Sequence, residues 1–320
     1  MSKIAVVGAG AWGTALALHA VRAGHGVALV ARNPIAASSI DAVRENPRLP
    51  GVRLPDTLEL RHAIPDDTDL LLWVVPTQHL RSSLSRLQAG GGAIVVCAKG
   101  VEAGTHLLPL EVVRDVVPGR SLAVLTGPNF AHEVAMGLPA AAVVASIDAG
   151  LREQVRAMLG TSTFRLYGND DPIGAQLGGA AKNVIAIAAG AVIGAGLGEN
   201  ARAALVTRGL SELCRLAIAL GGRAETVMGL SGLGDLLLTC TGCSSRNFSL
   251  GHALGRGESL ATILANRSAV TEGVATAAAL VARAGDVELP ICRAVADLLG
   301  GVKTLDQAIT QLLSRPQRDE

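Results

Sequence analysis

Residues 4–17 read Ile4-Ala5-Val6-Val7-Gly8-Ala9-Gly10-Ala11-Trp12-Gly13-Thr14-Ala15-Leu16-Ala17. A strand-like apolar run is followed at once by three glycines at fixed spacing, and these open a helix-like stretch. In that setting each glycine has its own task. Gly8 permits a tight turn, Gly10 lets backbone approach a pyrophosphate, and Gly13 lets helix and strand pack closely. The helix start then offers free N–H groups and a positive dipole end to the phosphates. A bare GxGxxG says little. Its place between a strand and a helix is what favours a dinucleotide site over a structural glycine turn. The same segment, with one lysine ahead of an apolar run, has the outline of a signal peptide, but the glycine spacing and the IAVV strand argue against it.

Outward from this motif, the first half alternates apolar strand-like runs with helical stretches. Strands are predicted at Ile4–Val7, Val27–Ala31, Leu70–Val75, Ala93–Cys97, Leu122–Leu125, Ala141–Ala145 and Phe164–Leu166. Helices are predicted at Thr14–Ala23, Gln78–Gln88 and Leu151–Leu159. Near-continuous apolar strands separated by helices imply a largely parallel sheet covered on both faces, mixed at its later edge, where the strands are closely spaced. After about Gly174 the strand signals stop. Gln176–Ile193, Ala201–Leu220, Thr271–Arg283 and Ile291–Leu299 read as helices, with Arg208, Glu212 and Arg215 charging one face of the second. The predicted fold is therefore α/β: a Rossmann-like dinucleotide-binding domain over residues 1–174, then an all-helical substrate and catalytic domain over 175–320. The boundary falls near Asn169–Gly179, and the tail after Arg315 is expected to fray.

Composition agrees with two packed domains and excludes several classes. The 320 residues are 49% hydrophobic and 17% charged, which is incompatible with a disordered chain. Aromatics are only 2%, so Ala, Gly, Leu and Val must fill the cores. The net charge is +1 with no basic stripe, which argues against nucleic acid. Five scattered cysteines suit reduced thiols in a cytoplasm. The longest nearly uncharged stretch, Val184–Gly198, is too short and too rich in glycine to span a bilayer and reads as a buried helix.

Of the 28 basic residues only Lys3, Lys99, Lys182 and Lys303 are lysines, so lysine is kept where a compact, deprotonatable ammonium has a use. Lys3 and Lys303 read as surface positions. Lys99, just past a predicted strand end, is either a surface or a site residue. Lys182 begins a helix otherwise apolar on every face, where desolvation should lower its pKa and suit it to proton transfer; the alternative is a snorkelling lysine. Arg32 stands where an NAD site usually carries an acid, and offers a guanidinium to a 2′-phosphate unless it is a solvated surface arginine. Gly127-Pro128-Asn129-Phe130-Ala131 is a turn followed by a helix start. Gly232-Leu233-Gly234-Asp235 leads to Ser244-Ser245-Arg246-Asn247, a cluster suited to an anion or equally to a helix cap. Cys240-Thr241-Gly242-Cys243 lacks the second ligand pair of a zinc site, and His132-Glu133 reads as an exposed pair.

Taken in order, GAGAWGTALA, AKG, LTGPNFA, QLGGAAKNVIAIAAG, ARAALVTRGLSE, GLGDLLLTC, SSRN and TEG resemble the NAD(P)-dependent glycerol-3-phosphate dehydrogenases of the bacterial soluble biosynthetic type. The resemblance runs from Lys3 to Leu313. It implies Lys182 as catalytic residue, and Lys99, Gly127, Asn129, Lys182, Asp235, Ser245, Arg246 and Asn247 at the substrate. Asn129 departs from the Ser or Thr usual at its position. For the cofactor it implies Ala11, Trp12, Arg32, Lys99, Ala131, Arg246, Val270 and Glu272 beside Gly8, Gly10 and Gly13. The expected cofactor is NADP(H), with NAD(H) also used, and no metal. The expected substrates are dihydroxyacetone phosphate and glycerol 3-phosphate, in a cytoplasmic homodimer without a membrane span, serving glycerophospholipid synthesis. Two rivals stay open: a dehydrogenase of the β-hydroxyacid or ketopantoate-reductase kind, and a cofactor-sensing protein without turnover.

Overall fold

The structure, a computed structural model, describes residues 1–85, 87, 92–267 and 270–314. The predicted end of the third-strand helix at Gln88 and the tail after Arg315 lie outside the described residues. The chain divides into two compact units. The first comprises Met1–Lys99 and Pro109–Ala175, and the second Gly100–Leu108 and Gln176–Glu320.

The first unit holds one eight-stranded sheet: β1 Lys3–Val7, β2 Gly26–Val30, β3 Leu58–Arg61, β4 Leu70–Trp73, β5 Ala93–Val96, β6 Leu122–Thr126, β7 Ala140–Ala145 and β8 Phe164–Asn169. The order is β3-β2-β1-β4-β5-β6-β7-β8, and among these neighbours only β6 and β7 run antiparallel. The expected mixed edge is thus present. β3 was not expected from the sequence, and its pattern explains why. Leu58 and Leu60 alternate with Glu59 and Arg61, so it is a half-exposed edge strand rather than a continuous apolar run. Strand β4 is wholly buried, with Leu70, Leu71, Leu72 and Trp73 all at 0% exposure. The strand order places residues 4–7 in the middle of a sheet, as the glycine spacing required.

Helices α1 Ala11–Arg22, α2 Pro34–Val43, α3 Thr77–Leu84, α4 Pro109–Val116, α5 Ala131–Ala135 and α6 Ala149–Leu159 accompany the strands. α2 also went unread, although Asn33 caps it by accepting the Ala36 N–H and Pro34 sits in its first turn. The remaining helices are α7 Pro172–Gly194, α8 Gly198–Ala219, α9 Ala224–Val227, α10 Asp235–Cys240, α11 Arg246–Gly255, α12 Leu260–Ala265, α13 Glu272–Ala284, α14 Pro290–Leu299 and α15 Leu305–Leu313, with a π-helical turn at Leu230–Gly234 before α10.

Two expectations about this half change. α7 starts at Pro172, so Lys182 lies in its interior and not at its beginning. Its 23 residues are also long and apolar enough to cross a membrane, so the length argument against a span fails; burial decides instead, because 89% of its most apolar window is buried inside the protein. Glu212 does not charge an outer face. It is 1% exposed, and its carboxylate accepts the N–H groups of Ile291 and Cys292 at 2.6 and 3.1 Å, capping the start of α14. Arg208 and Arg215 remain exposed.

With so few aromatics the helical core is closed by glycine. A Cβ built on Gly190 would lie 2.0 Å from the Phe248 carbonyl oxygen, and one on Gly251 would lie 1.9 Å from that of Ile187. α7 and α11 therefore meet backbone to backbone, and any larger residue at these points would push them apart.

Candidate functional site

In the first unit the strand order reverses at β1, whose neighbours are β2 on one side and β4 on the other. Such a switch point opens a crevice at the carboxyl ends of the strands. The glycine turn sits there, and its three glycines are three different cases. Gly8 has φ +117°, and a Cβ on it would lie 2.5 Å from the Val74 carbonyl oxygen. A Cβ on Gly13 would lie 1.9 Å from the Gly8 carbonyl oxygen, so strand and helix pack without a side chain between them. Gly10 is the reverse: nothing stands within 4 Å of its Cβ position. That open space is a cradle which a side chain would fill and a phosphate can enter. α1 begins there with no side-chain cap and no acid in its first turn, so its N–H groups and dipole are available to an anion. The arrangement fits a dinucleotide.

The other residues expected in this unit lie at the same edge. Arg32 is exposed just beyond the end of β2, where the Ala31 N–H pairs with the Arg61 carbonyl at 2.7 Å. Ala11 and Trp12 are partly buried against the core. Lys99 follows β5 and donates from Nζ to the Gly127 carbonyl at 3.0 Å, which brings two expected substrate residues together. Gly127, with φ +146°, follows β6. Asn129 donates from Nδ2 to the Ala141 carbonyl at 3.1 Å, while its Oδ1 is a buried acceptor without a partner. Ala131 begins α5.

In the second unit Lys182 is 7% exposed and Asp235 1%. The Lys182 ammonium donates to Asp235 Oδ1 at 2.5 Å and to Thr239 Oγ1 at 3.0 Å. Thr239 in turn donates to the Asp235 backbone carbonyl at 2.6 Å, one helical turn back. Local sequence explains the meeting. A Cβ on Gly178 would lie 2.6 Å from the Ser231 carbonyl oxygen, so the π-helical turn rests on α7 one turn before Lys182 and delivers Asp235 as the first residue of α10. Taking an ammonium out of water costs several kcal/mol, and a carboxylate in hydrogen-bonding contact offsets much of it. The snorkelling alternative is excluded, because the Nζ ends on a buried carboxylate. A desolvated lysine was expected; its carboxylate partner was not.

A second network adjoins it. Asn247 donates from Nδ2 to Asn183 Oδ1 at 2.9 Å and accepts the Gly273 N–H on Oδ1 at 3.1 Å, joining α11, α7 and α13 beside Lys182. Ser245 is buried and caps α11 by accepting the Phe248 N–H at 3.2 Å, so the helix-cap reading holds for that residue. Arg246 is exposed, and its Nη1 donates to the Val270 carbonyl at 2.8 Å, bringing two expected cofactor residues together. Glu272 is the partly buried first residue of α13. Burial pushes the Cys240 thiol up to about 12, so it is no nucleophile, while Cys243 and the His132-Glu133 pair are exposed.

Two residues of this site were absent from the sequence reading, Thr239 and Asn183. Each left a signal: Thr239 stands four positions after Asp235, one turn along the same helix, and Asn183 directly follows Lys182.

A glycine cradle at a switch point and a buried ammonium–carboxylate pair on a helical unit fit a dinucleotide-dependent dehydrogenase. Family models described as the N-terminus and the C-terminus of NAD-dependent glycerol-3-phosphate dehydrogenase match residues 3–151 and 171–310. The chain belongs to that family. It is 56% identical to a glycerol-3-phosphate dehydrogenase [NAD(P)+] of Acidiphilium cryptum, covering 99% of this chain and 98% of the relative. It is 51% identical to the enzyme of that name from Gluconobacter oxydans, with 99% and 98% covered. Its fold is similar to the crystal structure of glycerol-3-phosphate dehydrogenase from Coxiella burnetii, with a TM-score of 0.93, 37% identity and coverage of 98% and 99%.

Proposed function

We propose that this chain is an NAD(P)-dependent sn-glycerol-3-phosphate dehydrogenase that reversibly reduces dihydroxyacetone phosphate. The observation that carries the reading is Lys182, an ammonium buried in a helical core and held by Asp235 and Thr239. When bound, the nicotinamide supplies or accepts the hydride at its C4. Lys182 donates a proton to the oxygen developing on C2 of the substrate during reduction, and takes it back during oxidation. Asp235 and Thr239 aim the Nζ. Lys99 polarises the carbonyl or steadies the phosphate, with Gly127 and Asn129 beside it, and the unpaired Asn129 Oδ1 suits a substrate hydroxyl. Arg246, with Ser245 and Asn247, binds the phosphate. Gly8, Gly10, Ala11, Trp12 and Gly13 hold the pyrophosphate, Arg32 takes the 2′-phosphate of NADP(H), and Ala131, Arg246, Val270 and Glu272 make further cofactor contacts. NAD(H) is also accepted. No metal takes part.

The same proposal sets the enzyme in the cytoplasm, at the head of glycerophospholipid synthesis; its five cysteines are all free thiols. It also includes a homodimer. Small residues on α7 and α11 meet each other within the unit, so sedimentation equilibrium is the direct test of the dimer, and a monomer mass would remove it. For the reaction, purified protein is given dihydroxyacetone phosphate with NADPH or NADH in parallel. Oxidation of either nucleotide, faster for NADPH, is expected. Turnover of a ketoacid such as ketopantoate instead would favour the rival dehydrogenase, and cofactor binding without turnover of any substrate would favour the sensor.

A further inference from the structure

The turn Gly8-Ala9-Gly10-Ala11 has no side chain able to hold its own shape. Glycine loses more conformational freedom on ordering than any other residue, so a turn of this composition needs fixing from outside. The fixing comes from a residue far along the chain. Asn46 lies between α2 and β3 and is 0% exposed. Its Nδ2 donates to the Ala9 carbonyl at 3.1 Å and to the Thr14 hydroxyl at 2.7 Å, while its Oδ1 accepts the Arg48 N–H at 2.9 Å. One amide thus bridges the residue between two glycines and the first turn of α1, which the Thr14 N–H already ties to the Gly10 carbonyl at 2.9 Å.

The segment that carries Asn46 is itself anchored. Leu49, Leu54 and Leu58 are 3%, 0% and 0% exposed, the Leu49 N–H bonds the Asn46 carbonyl at 2.8 Å, and the Leu54 N–H bonds that of Arg44 at 2.8 Å. Both donor hydrogens and the acceptor oxygen of the amide therefore have partners that only this geometry satisfies.

We propose that Asn46 is a positioning residue of the dinucleotide site: it fixes the glycine turn before the cofactor arrives, so that binding does not bear the ordering of the turn. Preorganisation of this kind appears as affinity. Being fully buried, Asn46 acts through Ala9 and Thr14 and not by touching the ligand. The inference rests on the reading that the glycine turn holds the pyrophosphate.

The test uses the full chain, with NADPH affinity measured by calorimetry beside the thermal midpoint of the protein without cofactor. Asn46→Asp keeps the acceptor for the Arg48 N–H and loses the donors; Asn46→Ala loses both. Each is expected to raise the NADPH Kd about tenfold, the scale of one buried hydrogen bond. At saturating cofactor kcat and the KM for dihydroxyacetone phosphate stay within about twofold of wild type. A purely structural residue would lower the midpoint and leave the Kd of the folded protein unchanged, and that result overturns the proposal. Thr14→Val removes one arm of the bridge and is expected to give a smaller rise in Kd; it decides the matter should the Asn46 variants not fold. Gly10→Ala separates the two readings, because its methyl enters open space and should weaken NADPH without disturbing the protein. An unchanged Kd in Gly10→Ala removes the pyrophosphate reading itself. Weakening there, with none in the Asn46 and Thr14 variants, removes only the positioning role.

Discussion

The glycine cradle of the first unit is made of backbone from six consecutive residues, Gly8 to Gly13, whereas the lysine site of the second is made of side chains whose hydrogen bonds join residues 53 and 57 positions apart. The materials decide how each site fails. At Gly10 a side chain would fill the cradle without meeting any other atom, so the rest of the unit does not feel the change. A buried ionic network is coupled: removing one member takes a hydrogen-bond partner from each of the others in a place where little water can replace it. Affinity changes with little loss of stability should therefore collect in the first site, and losses of stability and turnover together in the second.

Asp235→Leu presses this contrast hardest. It removes the carboxylate that the buried Lys182 ammonium contacts, so stability should fall by about 3–5 kcal/mol in denaturant unfolding. Lys182→Met combined with Asp235→Leu should regain most of that loss, since no buried charge is left unpaired. If the single variant keeps wild-type stability, the pair is not coupled as described.

Arg246→Gln is the next largest effect. The KM for dihydroxyacetone phosphate should rise about ten- to a hundredfold, the range of a charge-assisted hydrogen bond, while the slow rate on unphosphorylated dihydroxyacetone stays unchanged. An equal loss on both substrates would mean that the guanidinium serves mainly its tie to the Val270 carbonyl. Arg32→Asp, in the first unit, should lower the NADPH/NADH ratio of kcat/KM about tenfold. An unmoved ratio makes Arg32 a surface residue.

Acid gives the smallest contrast, and its sign differs between the units. His19 is buried, its Nε2 is 2.6 Å from the Leu159 carbonyl, and burial lowers its pKa below 6.5. Its contribution to stability is complete above that value and declines as pH falls, because only the unfolded chain takes the proton readily. Burial raises the pKa of Glu212 above 4.5 despite the two N–H groups it accepts. The folded state takes that proton first, so stability gains as pH falls through the raised value. Thermal midpoints followed from neutral to mildly acidic pH should therefore decline less in His19→Gln and more in Glu212→Gln than in wild type. Parallel curves for all three proteins would contradict both assignments.

Legibility in the sequence followed the same division. The cradle could be read because it is contiguous and because glycine spacing reports backbone geometry directly. The parallel sheet could be read because strands buried on both faces are continuous apolar runs. β3 escaped because an edge strand alternates, and α7 was begun late because its first turn carries no amphipathic pattern. Lys182 stood out by its rarity on an apolar helix, but its partnership with Asp235 depends on how Gly178 seats the π-helical turn, which no local pattern records. Glu212 was misread for a related reason: its spacing matches the charged face of α8, yet the N–H groups it serves belong to α14. Asn46 left no signal, because an asparagine in a loop looks the same whether it is solvated or bridges a turn.

The division of labour between the two sites can be checked by a single measurement. It is the single-turnover rate of NADPH oxidation at saturating cofactor and saturating dihydroxyacetone phosphate, compared in Gly10→Ala and Lys182→Met. Gly10→Ala, once saturated, should react within about twofold of wild type, whereas Lys182→Met should lose about two to four orders of magnitude with its NADPH Kd little changed. If Lys182→Met keeps its single-turnover rate, or if both variants lose rate to the same degree at saturation, affinity and proton transfer are not separated in this way.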